Sequence, residues 1–230
     1  MTSPLALSDR ARTHVRTFGS EQQPVLVVDD VLADLSLVRG IAARHSFRPI
    51  GPHYPGIRAA VSERVVMPLA DPLTALLTEI FALDRAPHYA ECFLSVVTKG
   101  GGDLAPIQRL PHFDGTERGR IAVLLYLGDT ETHGTGFYRQ RSTGFESVTA
   151  DRFAAYEKAL RDGVAEHGLP VGYIGEGNAL FDRIFAVRGR ANRLIAYRGN
   201  TLHCAALPEG FAPDADPRRG RLTLNLFLSA

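Results

Sequence analysis

Apolar positions recur along this chain with two different periods, and the change comes near residue 91. Before it, the spacing is mostly helical. Leu35, Leu37, Val38, Ile41 and Ala42 share one face of a helix expected over 35–45, with Asp30 or Asp34 placed to cap its free N–H groups. Leu73, Leu76, Leu77, Ile80 and Phe81 predict a second helix over 71–83, opened by Asp71 or Pro72. The β-branched run Val25-Leu26-Val27-Val28 reads as a strand ending at Asp29-Asp30. Residues 1–20 are polar and mixed, which predicts a loosely ordered arm. Residues 46–60 contain Pro49, Gly51, Pro52, Pro55 and Gly56, which interrupt regular structure and predict an ordered surface loop.

Beyond residue 91 the period falls to two. Residues 92–98 form a strand before the turn Gly100-Gly101-Gly102, and 107–110 lead into Pro111-His112-Phe113-Asp114. Residues 121–127 are apolar throughout, as in a strand buried on both faces. Residues 136–139 read as a short strand, and 181–187 with 193–197 as a hairpin around Gly189-Arg190-Ala191-Asn192. In 222–228, Leu222, Leu224 and Leu226 take one face and Thr223, Asn225 and Phe227 the other. One helix interrupts the strands at 150–167. Phe153, Tyr156, Leu160 and Val164 form its apolar face, Thr149 is its candidate cap, and Gly168 and Pro170 stop it. Many short strands with helices beside them predict an α+β protein on a β-sandwich or jelly roll.

Composition narrows the class. A chain of 230 residues, 45% hydrophobic and 22% charged, fits one globular domain with a large core. A net charge of +1 gives no global attraction to nucleic acid or to an anionic membrane. No run approaches the roughly 18 apolar residues that span a bilayer. Residues 1–9 lack a basic segment followed by a long apolar stretch, so no secretory signal is expected. Cys92 and Cys204 are far apart without CxxC spacing, and are expected to be reduced, buried thiols in a cytoplasmic protein.

Candidate chemistry centres on His112 and Asp114. Side chains two apart on a strand share a face, so an imidazole nitrogen and a carboxylate oxygen point the same way. That is two-thirds of a 2-His-1-carboxylate facial triad, which holds Fe(II) and leaves positions open. His203 is the candidate third ligand: it follows the strand 194–197, the turn Arg198-Gly199-Asn200 and Thr201-Leu202. A core histidine without a ligand role is an equal reading of it. Arg221 opens the last strand eighteen residues later and projects with Thr223 and Asn225 away from the leucines. Its fork pairs bidentately with carboxylates. A surface arginine beside Arg218 and Arg219 is the competing reading. His14, His45, His53, His88, His133 and His167 lack such a context.

The ordered set His112-x-Asp114, His203 and Arg221-x-Thr223 resembles the Fe(II)/2-oxoglutarate-dependent dioxygenase superfamily, and most of all its prolyl-4-hydroxylase-type branch. The apolar strand 121–127, the Gly134-Thr135-Gly136-Phe137 turn and Leu202-His203-Cys204 belong to the same pattern. The resemblance covers 90–230 and implies a double-stranded β-helix, a cupin-like jelly roll with flanking helices. Residues 1–90 would be a mostly helical support within a single domain, and 149–167 a helical insert. By resemblance, His112, Asp114 and His203 ligate Fe(II). Arg221 takes the distal carboxylate of 2-oxoglutarate, with Thr223 and Tyr126 offering hydroxyls; Arg219 competes with Arg221 for that role. Oxygen is the other co-substrate, and succinate and carbon dioxide are the expected products. Asp114 implies hydroxylation rather than halogenation, because halogenating members replace this carboxylate with a small residue.

The expected substrate is a small molecule, an amino acid or a peptidyl group, with neither nucleic acid nor membrane as partner; a homodimer stays open. The 46–60 loop (His53, Tyr54, Pro55, Arg58) and the 128–148 segment (His133, Arg139, Arg141) are candidate lids, whose cations fit an anionic or amino-acid-like substrate. Two other readings remain: a non-catalytic cupin-like small-ligand binder, and a metal-dependent isomerase or hydrolase on the same barrel. Neither requires Arg221.

Overall fold

Alternation in the last strand decides how the molecule is layered. The computed structural model describes residues 3–128 and 133–230. Its strands are β1 (Arg12–Phe18), β2 (Gln23–Asp29), β3 (Gly56–Ala60), β4 (His88–Val97), β5 (Arg120–Tyr126), β6 (Gly134–Gln140), β7 (Phe181–Val187), β8 (Arg193–Arg198), β9 (His203–Ala206) and β10 (Leu222–Ser229). Helices are α1 (Leu35–Ala42), α2 (Glu63–Ala70), α3 (Thr74–Ile80) and α4 (Ala150–His167). β10 lies inside a seven-stranded sheet of order β1-β2-β8-β5-β10-β4-β3, and a three-stranded sheet of order β7-β6-β9 faces it. Neighbouring strands are antiparallel throughout both sheets. This is the double-stranded β-helix arrangement, with helices on one side of the large sheet.

Leu222, Leu224, Leu226 and Leu228 face outward and pack with Val38, Val66, Leu69, Leu77 and Phe81 of the helical layer. Each such buried side chain contributes about 1.5–3 kcal/mol. The opposite face of the sheet holds Ala122, Leu124, Ile195, Tyr197 and Phe227 against Phe137 and Val187 of the small sheet. Phe18 reaches this inner core as well, with its ring 4.5 Å from that of Phe137. The two faces of one sheet therefore do different work: one is a dry helical seam, the other looks into the space between the sheets.

Several expectations are corrected. The first third is not mostly helical, because β1, β2 and β3 all join the large sheet. Residues 12–18 form an edge strand whose sole buried side chain is Phe18, so its polar pattern hid it. The Pro-rich 46–60 stretch ends in β3, paired to β4. The predicted 71–83 helix is divided: Asp71-Pro72-Leu73 form a 3-10 turn between α2 and α3. Residues 181–187 and 193–198 are strands but not a hairpin, since β7 pairs with β6 and β8 with β2 and β5. Others hold as expected: Asp34 caps α1 by accepting the Leu37 N–H at 2.8 Å, and α4 starts after Thr149 and stops at Gly168. Both cysteines are free thiols. No helix among the described residues is long and apolar enough to cross a membrane.

Candidate metal centre

His112 and His203 are brought together by the backbone before their side chains matter. Each donates its N–H to the other's carbonyl, at 2.9 and 2.8 Å, in an isolated antiparallel bridge. The Asp114 N–H is held by the Gly199 carbonyl at 2.7 Å, so the turn before His203 also places the carboxylate. Ligand-capable atoms of His112, Asp114 and His203 lie within 4.8 Å of one another. His203 Nε2 is 3.4 Å from Asp114 Oδ2, and His112 Nε2 is 3.8 Å from Asp114 Oδ1. His203 Nδ1 lies 2.8 Å from the Thr201 carbonyl. Donating there assigns the proton to Nδ1 and leaves the Nε2 lone pair aimed at the cluster, the arrangement a metal-binding imidazole needs.

The electrostatics fit a divalent cation. Asp114 Oδ2 is buried without a hydrogen-bond partner among the described residues. Burial raises the Asp114 pKa, against the pull of His203, Arg120 and Arg58. His112 is 47% exposed toward the cavity, yet desolvation there, then His203, Arg58 and His53, hold its pKa well below the ordinary histidine value. A neutral imidazole and an under-compensated carboxylate are the protonation states that ligation uses. Two nitrogens and one oxygen on one side match the donor set for non-haem Fe(II).

A second polar cluster lies across the inner face of the large sheet. Thr223 of β10 is paired with Ser95 of β4 and Tyr126 of β5, and Ser95 in turn with Arg58 of β3. Arg221, just ahead of β10, is 6% exposed and donates to the Gly134 carbonyl at 3.1 Å. Its Nε, Thr223 Oγ1, Ser95 Oγ and the Tyr54 hydroxyl are buried and without close hydrogen bonds among the described residues, although the Tyr54 hydroxyl lies near enough to Ser95 and Thr223 to interact with both. Such groups cost about 1–3 kcal/mol each when left unsatisfied; a carboxylate would satisfy several at once. Burial raises the Tyr54 pKa despite Arg221 and Arg58, so its phenol stays a neutral donor. Tyr126 shares its hydroxyl with Thr135 Oγ1 at 2.7 Å, so it is the less available of the two tyrosines. Arg219 is 68% exposed and paired with Asp214 at 2.7 Å and Asp216 at 2.8 Å, outside the cluster.

The triad and, from the second cluster, Arg221 and Tyr54 line one cavity of about 790 Å³ that also touches Arg58, Phe113, Phe153 and Tyr156. Of the expected lids, His53, Tyr54, Pro55 and Arg58 line this cavity. Arg139 and Arg141 do not: they bind Glu146 and Asp182. His133 packs its ring on Phe211, and 129–132 of the 128–148 segment lie outside the described residues. Sequence reasoning missed Ser95 and gave Tyr54 no role beyond a lid. Ser95 carried a signal, as the polar position alternating with Phe93 in an otherwise apolar strand.

HygX from Streptomyces hygroscopicus, solved with nickel, 2-oxoglutarate and hygromycin B bound, is similar in structure at a TM-score of 0.51 and 15% identity, over 91% of this chain and 84% of that one. A Pseudomonas putida prolyl-4-hydroxylase gives 0.49 and 16%, over 91% and 95%. The α-ketoglutarate-dependent epimerase SnoN from nogalamycin biosynthesis gives 0.49 and 13%, over 90% and 78%. No curated protein matches the sequence. The profile described as "Family of unknown function (DUF6445)" matches residues 9–228. The chain therefore belongs to the DUF6445 family, and its fold is that of the Fe/2-oxoglutarate-dependent oxygenases.

Proposed function

We propose that this protein is an Fe(II)- and 2-oxoglutarate-dependent oxygenase that hydroxylates a C–H bond of a small or peptidyl substrate, with the whole chain acting as one domain. The observation that carries the reading is a His-Asp-His cluster with an orphaned carboxylate oxygen in the same cavity as a buried arginine that has no carboxylate partner among the described residues. His112, Asp114 and His203 would hold the iron. Arg221, Thr223 and Tyr54 would take the distal carboxylate of 2-oxoglutarate, with Tyr126 holding Thr135 beside them. Iron so bound supplies the oxidation, in which one oxygen atom of O2 enters the C–H bond and the other enters succinate as CO2 leaves. The chain's own contribution is positional: Thr201 orients His203, and the inner face of the sheet keeps water from Arg221. Asp114 fills the position that halogenation would leave open for a halide. An isomerase or hydrolase would have no use for a carboxylate anchor at Arg221.

Anaerobic Fe(II) with 2-oxoglutarate should give a weak charge-transfer band in the visible. His112→Ala and Asp114→Ala should each abolish it. Arg221→Ala should weaken 2-oxoglutarate binding by about 100-fold, the worth of a charged bidentate contact, while iron binding survives. A wild-type protein without the band would sink this reading.

A further inference from the structure

Four arginines line the cavity, Arg58, Arg109, Arg120 and Arg221, and the reading above, on which this inference rests, uses only Arg221. Arg120 is paired with Glu91 at 2.7 Å, and Arg109 donates to the Leu104 and Pro170 carbonyls at 3.1 and 3.5 Å. Arg58 is left over. Its guanidinium carbon lies 4.2 Å from the Tyr54 ring centre and 5.0 Å from that of Phe93. Its Nε is buried with no hydrogen-bond partner among the described residues. The two carboxylates that act on it are committed elsewhere: Asp114 to the triad, and Glu91 to Arg120 at 2.7 Å. Burial accordingly lowers the Arg58 pKa. A fork clamped between two rings loses little freedom when it binds, and its planar donors match a carboxylate.

One stretch of the cavity wall is apolar. Phe113, between the two triad residues, meets Phe153 edge-on at 6.3 Å and Tyr156 at 5.7 Å. Leu160 and Ile174 continue this wall, and Ile107 and Phe153 stand at its mouth, each 44% exposed. Exposed apolar side chains grouped at a cavity mouth mark a binding surface. We propose that the substrate is a small carboxylate with an apolar body, its carboxylate bound by Arg58 and its hydrocarbon laid along Phe113, Phe153 and Tyr156. Held at those two points, its C–H bonds pass in front of His112 and Asp114.

The test uses wild type, Arg58→Met and Arg58→Lys, each loaded anaerobically with Fe(II) and 2-oxoglutarate. Each is titrated calorimetrically with 3-phenylpropanoate, octanoate and N-acetylphenylalanine, and with the uncharged primary amide of each. At least one acid should bind wild type about tenfold tighter than its amide, the scale of one charged hydrogen-bond pair. Arg58→Met should reduce that preference below about twofold, and Arg58→Lys should restore part of it. The charge-transfer band and 2-oxoglutarate affinity should be the same in all three proteins, which also reports that the variants fold. Wild type showing no preference for any acid overturns the proposal. So does a preference unchanged in Arg58→Met, or loss of 2-oxoglutarate binding in that variant, which would assign Arg58 to the co-substrate. A wild-type protein lacking the band overturns the iron reading instead; the acid and amide comparison, repeated without iron, still decides the role of Arg58.

Discussion

Two tyrosine hydroxyls near Thr223 differ in how they are bonded. Among the described residues the Tyr54 hydroxyl makes no close hydrogen bond, whereas that of Tyr126 is bound to Thr135 at 2.7 Å. Tyr54→Phe should therefore raise the dissociation constant of 2-oxoglutarate about 10- to 100-fold, the worth of one hydrogen bond to a charged group, and Tyr126→Phe should raise it less. Isothermal titration of the Fe(II) protein checks both. Equal effects would mean that the Thr135 contact opens to admit the carboxylate. At this scale the sequence was informative where chemistry is rare. His112, Asp114 and His203 offer ligand atoms within 4.8 Å of one another, and Arg221 lines the same cavity. Ser95 and Tyr54 were harder to see, because serine and tyrosine occupy many sites and only their pairing in space makes them donors to one point.

The element that departs most from a bare two-sheet core is α4, and its anchorage is ionic. The β1–β2 turn offers Ser20 and Glu21 N–H groups to the Glu146 carboxylate at 2.9 and 3.0 Å, and Arg139 Nε adds a bond at 2.8 Å. Glu21 in return accepts from the Glu146 N–H at 3.1 Å and from Arg152 of α4 at 2.6 Å. Gly19 is needed in that turn: its φ is +71°, and a Cβ would come within 2.1 Å of Glu146 Oε2. Burial opposes ionisation of Glu146, but the Glu21 and Ser20 amides and Arg139 outweigh it and lower its pKa. A lowered folded-state pKa gives stability that is present above the unfolded value near 4.5 and is lost as pH falls through the folded one. Glu146→Gln should cost about 2–4 kcal/mol at pH 7, as an uncompensated break in a buried charged network. In denaturant titrations the gap between the two proteins should narrow below pH 4.5; a constant gap would show that charge is not what Glu146 contributes. The helix itself was legible from its apolar spacing. Its tether was not, since a glutamate 125 residues from its partner leaves no local pattern. β1 and β3 escaped for a related reason, as edge strands have few buried positions and so little alternation to read.

For the molecule as a whole, the cavity exists because two sheets are held apart by aromatic side chains at one end. Phe137 is fully buried, pairs in register with His203, and packs against Phe18 at 4.5 Å and Tyr197 at 5.1 Å. Phe137→Ala should cost about 3–5 kcal/mol. It should also weaken iron binding, because the strand that carries His203 loses its backing. Melting curves with and without Fe(II) would separate the two effects. A variant that loses stability but keeps its iron affinity would show that the His112–His203 bridge alone sets the geometry. Strand content and the alternating faces were readable in advance, but strand partners were not. The 181–197 segment has the right alternation for two strands, and nothing in that alternation says they belong to different sheets. Order matters also in time. β10, made after β4 and β5, lies between them in the large sheet. On the ribosome, β4 and β5 must therefore wait with unpaired inner edges until residues 222–229 emerge. A nascent chain shorter than that has neither Arg221 in place nor a closed sheet, so synthesis stalled before residue 222 should yield aggregation-prone chains and chaperone clients, not a partly working protein.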